Sequence, residues 1–313
     1  MKKLFIPALF LLFSQLFAQG LKIALPADEA TVPFTCAIED CEAFSAAPCE
    51  YEIYDDRSVM LSSLLKGESD LALLNTEDAA KVYSMTHGKI KVLALVQNAR
   101  PCIISTAGRL SSVRDLKGKK ILCSGHDATD DKVLRFILDK NEIFVASNPV
   151  SADLDFSVPA SQIVSQLLAG EAEYALMSES FAASALRKSS SLSIALDLKD
   201  DYSALTEQNI PRMLLVVNTA AMNQKTDIIE KYLEFYSDEL KKAYENPARL
   251  SVLCKKYLSG FSPAVISELI LHGSFVCIRA SEAEKQIDGY LKACSPFSFQ
   301  AESDVLPDDG FYY

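Results

Sequence analysis

SVMLSSLLKGESDLALL, from Ser58 to Leu74, occurs again 103 residues later as SQIVSQLLAGEAEYALM, from Ser161 to Met177. Eight of the seventeen aligned positions are identical. Each copy opens with a serine suited to a helix N-cap region and continues with an amphipathic helical pattern. It then reaches a glycine that can end the helix and enters an apolar run typical of a strand. The phrase therefore predicts one unit twice: helix, glycine, strand.

The similarity extends upstream of both copies. KIAL at 22–25 leads to DEAT at 28–31, and KILC at 120–123 leads to HDAT at 126–129 before a helical pattern near 131–138. Strands that alternate with helices favour parallel pairing. We therefore predict an α/β fold of two lobes, each a mostly parallel sheet flanked by helices. A single doubly wound sheet in which the phrase recurs by chance is the alternative.

Two proline-containing stretches without clear periodicity, 99–109 and 206–212, are where the chain is expected to cross between lobes. The predicted division is lobe I at 19–105, lobe II at 106–208, and a return to lobe I at 209–313. After a strand at 213–218, this last part is predicted to be helical at 226–244, 247–258, 263–272 and 281–292.

The chain begins with Lys2 and Lys3, an apolar run at 4–17 and the small residue Ala18. This pattern predicts a signal peptide at 1–18 and an extracytoplasmic, periplasmic protein. Leu16 stands where a small residue is usual, so an uncleaved anchor is the alternative. Loss of the two lysines would change the net charge from −11 to −13, which disfavours nucleic acid and anionic membranes as partners. A monomer is expected.

Eight cysteines lie beyond the predicted leader, at positions 36, 41, 49, 102, 123, 254, 277 and 294. In an exported protein they are expected to be disulfides or unreactive thiols, because no nearby histidine completes a zinc pattern. The sequence also lacks a Ser-His-Asp order, a Walker motif and GxGxxG. We therefore predict no catalytic residue, metal or cofactor.

Ligand-binding residues are expected in the loops that follow the strands, because strand carboxyl ends meet at one sheet edge. The candidates are Asp28, Glu29, Thr31, Asn75, Thr76, Glu77, Gln97, Ser124, Gly125, His126, Asp127, Thr129, Ser178, Glu179 and Ser180. The segment 124–129 opens a helix whose N–H groups could hold a polar group, or could simply be capped by Asp127 or Thr129. Tyr54 and Phe181 are candidates for stacking, and His272 is expected to pack or lie at the surface.

Acidic residues are frequent among these candidates. They would repel a sulfonate or nitrate and would suit an amine or a hydroxyl-rich solute. The sequence therefore favours an amino-bearing or polyhydroxylated ligand over a simple anion.

Six phrases, in this order, cover nearly the whole chain after residue 18: 65–74, 116–121, 168–177, 214–218, 246–247 and 306–313. In these phrases the sequence resembles the type II periplasmic solute-binding proteins of ABC importers, in the NMT1/THI5-like group that serves sulfonates, nitrate and thiamine precursors. The resemblance implies two lobes that clamp a small-molecule ligand, and an ABC permease as partner. Family members often have Glu-Pro where this chain has 178–180. The resemblance therefore does not assign a family ligand to this chain. An enzyme on the same fold and a sensory protein without a transporter are the alternatives.

Overall fold

The computed structural model describes residues 20–297 and 306–313, so the predicted signal peptide lies outside the described residues. Eleven strands lie in these ranges. They are β1 (Leu21–Pro26), β2 (Cys49–Tyr54), β3 (Leu71–Asn75), β4 (Ile90–Ala99), β5 (Cys102–Ser105), β6 (Lys120–Cys123), β7 (Asp153–Asp155), β8 (Tyr174–Met177), β9 (Ser193–Asp197), β10 (Ile210–Asn218) and β11 (Phe275–Arg279).

Eleven α-helices accompany the strands over the same described ranges. They are α1 (Phe34–Glu39), α2 (Arg57–Lys66), α3 (Thr76–Thr86), α4 (Thr129–Lys140), α5 (Ala160–Ala169), α6 (Glu179–Lys188), α7 (Leu198–Thr206), α8 (Thr219–Glu245), α9 (Pro247–Tyr257), α10 (Pro263–Leu271) and α11 (Ala280–Cys294). None of the described helices is both long and apolar enough to span a membrane.

The strands form two sheets, which we call the first and second sheets. The first has the order β11-β4-β10-β3-β1-β2, and the second has the order β7-β6-β8-β5-β9. Four of six strands in the first sheet and four of five in the second share one direction, since β10, β11 and β5 pair antiparallel with their neighbours. The predicted two-lobed α/β fold is confirmed; most strands of each sheet share a direction, although five of the nine strand pairings are antiparallel.

The two sheets repeat one pattern, as the doubled phrase predicts. In each, a strand that arrives from the other sheet inserts antiparallel next to the strand of the repeated phrase: β10 beside β3, and β5 beside β8. Both phrases end their helix at a left-handed glycine, Gly67 with φ 74° and Gly170 with φ 75°. The predicted serine caps are wrong, because Asp56 and Pro159 hold the N-cap positions and both serines lie inside the helices.

The chain passes from the first sheet to the second between β4 and β5, at Arg100 and Pro101. Strand β5 thus belongs to the second sheet, although its residues 102–105 precede the expected boundary at 105. Strands β2, β5, β7, β9 and β11 escaped prediction. The predicted helix start near Thr226 coincides with a kink at Lys225, where φ is −129°, inside the longer helix α8.

Alternate faces of the first sheet pack against different helices. Leu73, Leu215 and Val217 pack with Tyr232 and Tyr236 of α8, whereas residues of α11 pack on the other face.

All eight cysteines are free thiols. Burial raises the pKa of Cys36 and of Cys254 to about 11, which keeps both as unreactive thiols.

Candidate ligand-binding site

Polar side chains meet at the edge of the first sheet that faces the second. The parallel strands β1, β3 and β4 end there, and the antiparallel strand β10 begins there. Met213, near the start of β10, is paired with both Asn75 and Gln97. This register brings Arg212 to the same edge as the ends of the parallel strands.

A cavity of about 430 Å³ lies at this edge, within the range of small-molecule sites. It draws residues from β4 and the start of β10 in the first sheet, from the start of α6 after the second-sheet strand β8, and from the turn before α10. Its lining consists of Ala27, Asp28, Glu29, Ala30, Arg57, Gln97, Ser178, Ser180, Phe181, Ser184, Arg212, Met213, Ser259, Gly260, Phe261 and Val265. We call it the main cavity.

Glu29 is the central polar group of the main cavity and is buried. Its Oε1 accepts a hydrogen bond from the Gln97 side-chain amide at 3.3 Å and lies 3.1 Å from a guanidinium nitrogen of Arg212. The short helical turn that carries Glu29 is capped by Asp28, whose Oδ1 accepts from the Ala30 N–H. The other Asp28 oxygen accepts from Arg57.

Arg212 separates the main cavity from a second one of about 200 Å³, which we call the side cavity. The side cavity is lined by Asn75, Glu77, Asp78, Lys81, Asp127, Ala128, Thr129, Asp130, Lys132 and Arg212. The Arg212 guanidinium lies 4.0 Å from Asp130 on the second-sheet side. Burial opposes its charge, but the carboxylates of Glu29 and Asp130 outweigh burial and raise its pKa.

Four buried acceptor atoms at these cavities have no hydrogen-bond partner among the described residues. They are Glu29 Oε2, Gln97 Oε1, Asp127 Oδ1 and Asp130 Oδ1. An unpaired buried acceptor costs about 1–3 kcal/mol, so native structures rarely leave several together. Burial raises the pKa of Asp130, with Arg212 opposing and Glu29 and Glu77 adding to the rise. The site thus has unused capacity to accept hydrogen bonds.

Helices α3, α4 and α6 begin at the cavities. Their N-cap residues, Asn75, Ala128 and Ser178, make no side-chain capping bond. The N–H groups of a first helical turn lack intrahelical partners and carry partial positive charge. These helix starts can therefore donate to a polar group in the cleft.

Two glutamates in the first turns of α3 and α6 connect the sheets. Glu77 accepts from Thr129 of α4 at 3.0 Å and from Tyr290 of α11. Glu179 accepts from Ser274 and lies 2.6 Å from Nδ1 of His272, both of which precede β11. We call these the Glu77 and Glu179 clusters.

The structure distributes the predicted site residues unevenly. The main cavity receives Asp28, Glu29, Gln97, Ser178 and Ser180, and the side cavity receives Asn75, Glu77, Asp127 and Thr129. The expected caps at α4 are absent, because Ala128 is its N-cap and Asp127, at φ 62°, lies before the helix.

The remaining predicted residues lie elsewhere. Thr31 and Thr76 donate inward to the backbone carbonyls of Pro26 and Pro211. Ser124, Gly125 and His126 line neither cavity, and the His126 ring packs edge-on against Phe156 at 4.7 Å. Of the stacking candidates, Phe181 reaches the main cavity, whereas Tyr54 bonds Glu52 and Ser63 beside β2.

Sequence reasoning missed Arg57, Arg212 and Asp130. Arg57 could have been located if strand β2 had been predicted, because Arg57 follows shortly after the end of that strand. Arg212 lies at the start of the antiparallel strand β10. The rule that places ligand-binding residues after strand ends does not cover strand starts. His272, which was expected to pack or lie at the surface, is exposed and contacts buried Glu179. Within 20–297 and 306–313, no group of three or more His, Cys, Asp or Glu side chains is arranged to hold a metal.

Residues 50–250 match the family model described as NMT1/THI5 like. No curated protein matches the sequence.

The fold is similar to that of several solved structures. An ABC transporter protein from Parabacteroides distasonis is 20% identical, with 94% of this chain and 98% of that chain covered and a TM-score of 0.74. The periplasmic aliphatic sulphonate-binding protein SsuA from Escherichia coli is 13% identical, with 92% and 94% covered and a TM-score of 0.70. The ligand-binding component of an ABC-type import system from Staphylococcus aureus is 13% identical, with 94% and 98% covered and a TM-score of 0.64. At these identities, the likeness concerns the fold.

Proposed function

Because the chain belongs to the NMT1/THI5-like family, we propose that it is an extracytoplasmic solute-binding protein that captures a small polar organic ligand between two lobes and delivers it to an ABC permease. The observation that carries the proposal is the main cavity. It lies between the two sheets and contains buried acceptors, Glu29 Oε2 and Gln97 Oε1, without partners among the described residues. Such a cavity suits reversible capture of a solute with complementary donors.

The contacts around the cavity support a clamping action. The Glu77 and Glu179 clusters each join a first-turn carboxylate on one side of the cleft to hydroxyl groups on the other. Hinge closure in two-lobed proteins makes and breaks contacts of this kind around a bound ligand. We assign lobe I to the unit around the first sheet and lobe II to the unit around the second.

Export and transport are further parts of the proposal. The lysines and apolar run at the start of the sequence support export, and the family resemblance supports an ABC permease as partner. The solved structures that share the fold include a sulphonate-binding protein, but in this chain both arginines of the main cavity are already paired with carboxylates, Arg57 with Asp28 and Arg212 with Glu29.

Native mass spectrometry tests the binding role. Protein purified without refolding and exposed to a small-molecule cell extract is expected to retain one compound per chain, and to return that compound chemically unchanged. The same compound should raise the melting temperature in proportion to the logarithm of its concentration. A chemically altered compound would indicate an enzyme instead, and the failure of every compound to bind would refute the proposal. Reduced uptake of the compound by cells that lack this protein tests the permease step.

A further inference from the structure

The unpaired acceptors at the cleft specify what a solute must offer. Glu29 is 6% exposed and Gln97 is 2% exposed, and both line the main cavity. Each has one oxygen that accepts no hydrogen bond among the described residues. A solute that fills this space must bring hydrogen-bond donors, since an acceptor-only group would leave both oxygens unpaired.

The orientation of the Gln97 amide follows from its neighbour. Its nitrogen faces Glu29 Oε1 at 3.3 Å, and a carboxylate oxygen can only accept. Reversal of the amide would bring two acceptors together, so the amide oxygen remains directed away from Glu29. Glu29 therefore orients the Gln97 amide so that Gln97 Oε1 is a second acceptor in addition to Glu29 Oε2.

The charge of the cleft is compatible with a charged donor. The main cavity is balanced, with two acidic and two basic side chains, and the main and side cavities together are lined by six acidic and four basic side chains, a net charge of −2. The starts of α3, α4 and α6 each contribute roughly half a positive charge, about +1.5 together. The balance over both cavities stays slightly negative, so the field of the cleft does not oppose a cationic group at Glu29.

The two arginines of the main cavity already have carboxylate partners. Arg57 donates to Asp28, and Arg212 contacts Glu29. An anionic solute would have to compete with these carboxylates for each guanidinium. A cationic solute leaves both pairs intact and adds partners to the unpaired oxygens.

Aromatic rings complete the chemistry of the cavity. Phe181 lines it and is 56% exposed, and Phe261 lines it as well. Aromatic faces attract organic cations as well as apolar groups. The cavity therefore offers a carboxylate and an amide oxygen for a charged end, with two rings available for the body of a solute.

We propose that the captured solute is an organic cation, with an ammonium, amidinium or guanidinium group that donates to Glu29 Oε2 and Gln97 Oε1. This assignment rests on the proposed function, because it names the class of solute held in the same cavity. The charge-assisted hydrogen bond to Glu29 is the main source of selectivity against neutral and anionic analogues.

The test uses sets of compounds that share a carbon skeleton and differ in one end group. Phenylethyl and butyl skeletons, each bearing an ammonium, hydroxyl, carboxylate or sulfonate, are titrated into the full chain by calorimetry and thermal shift. The ammonium members are expected to bind most tightly. Glu29→Gln should weaken them at least about tenfold, the loss expected for one charge-assisted hydrogen bond. Gln97→Met should weaken them less, and Glu50→Gln, on the exposed side of β2, is the matched control that should leave binding unchanged.

Equal or tighter binding of the hydroxyl, carboxylate or sulfonate members would overturn the assignment. If no member binds, native mass spectrometry with a small-molecule cell extract decides. A captured cation that Glu29→Gln no longer retains supports the assignment. A captured neutral or anionic compound, or a cation that the variant still retains, overturns it while the binding function stands. Capture of no compound overturns both.

Discussion

The Glu77 and Glu179 clusters are two versions of one contact. Each glutamate lies in the first turn of a helix that follows the strand of the repeated phrase, and each reaches across the cleft. Their partners differ, however. Glu77 bonds the hydroxyls of Thr129 and Tyr290, whereas Glu179 bonds a hydroxyl and the imidazole of His272. The repeat thus gives two equivalent positions for a carboxylate, and the side chains that surround the two positions differ.

The largest loss of folding stability is expected from Glu77→Ala. Tyr290 is fully buried, and this change removes the carboxylate to which its hydroxyl donates. We expect the free energy of unfolding to fall by about 2–3 kcal/mol, measured by urea denaturation. Glu68→Ala, at the exposed turn after α2, is the control and should change it by less than about 0.5 kcal/mol. Equal effects of the two variants would mean that the Glu77 cluster does not stabilise this arrangement.

Single donors should matter less than the carboxylates themselves. Thr129→Val and Ser274→Ala each remove one hydroxyl from one cluster. Because each bond is to a carboxylate, we expect a loss of about 1.5 kcal/mol of stability for either variant. Similar losses would indicate that the two clusters contribute equally to stability. A loss at only one site would show that they do not.

The pH dependence of stability should separate the clusters. Burial raises the pKa of Glu179 above its ordinary value of 4.5, although Ser274 and His272 partly offset this. The folded state then holds the Glu179 proton more tightly than the unfolded state. Stability from this group is therefore lost as pH rises from about 4.5 through the raised pKa. Denaturation across this range should give a less negative slope of stability against pH for Glu179→Gln than for the wild type; an unchanged slope would contradict this account.

The smallest loss of stability is expected at the two glycines that end the helices of the repeated phrases. Gly67 and Gly170 have φ of 74° and 75°, and an added Cβ would meet no atom within 4 Å at either position. Backbone strain alone should then set the cost of alanine, about 1 kcal/mol at each glycine. Thermal denaturation of Gly67→Ala and Gly170→Ala checks this. A large difference between the two would show that the phrases end their helices differently.

The doubled phrase allowed the fold to be predicted because its pattern is local. Gly67 and Gly170 end helices, and the apolar runs that follow form strands, whichever sheet surrounds them. Strand β2 escaped prediction although its sequence, CEYEIY, alternates between apolar and polar residues as an edge strand does. Strand β11, with mostly half-buried residues, was hidden among the helices that surround it.

The candidate site was predictable only in part. Glu29 and Gln97 follow or end parallel strands, so the rule for strand ends located them. Arg212 escaped that rule because β10 runs antiparallel and presents its start, not its end, to the cleft. Thr76 shows the opposite error, because it lies at the expected edge but donates to the Pro211 carbonyl.

A crystal structure of the protein with the compound captured from a cell extract tests the account most directly. We predict electron density for that compound in the main cavity, with a donor atom about 2.7–3.2 Å from both Glu29 Oε2 and Gln97 Oε1. Density outside the main cavity, or a bound compound that leaves these two oxygens unpaired, would contradict the assignment of this cavity as the ligand-binding site.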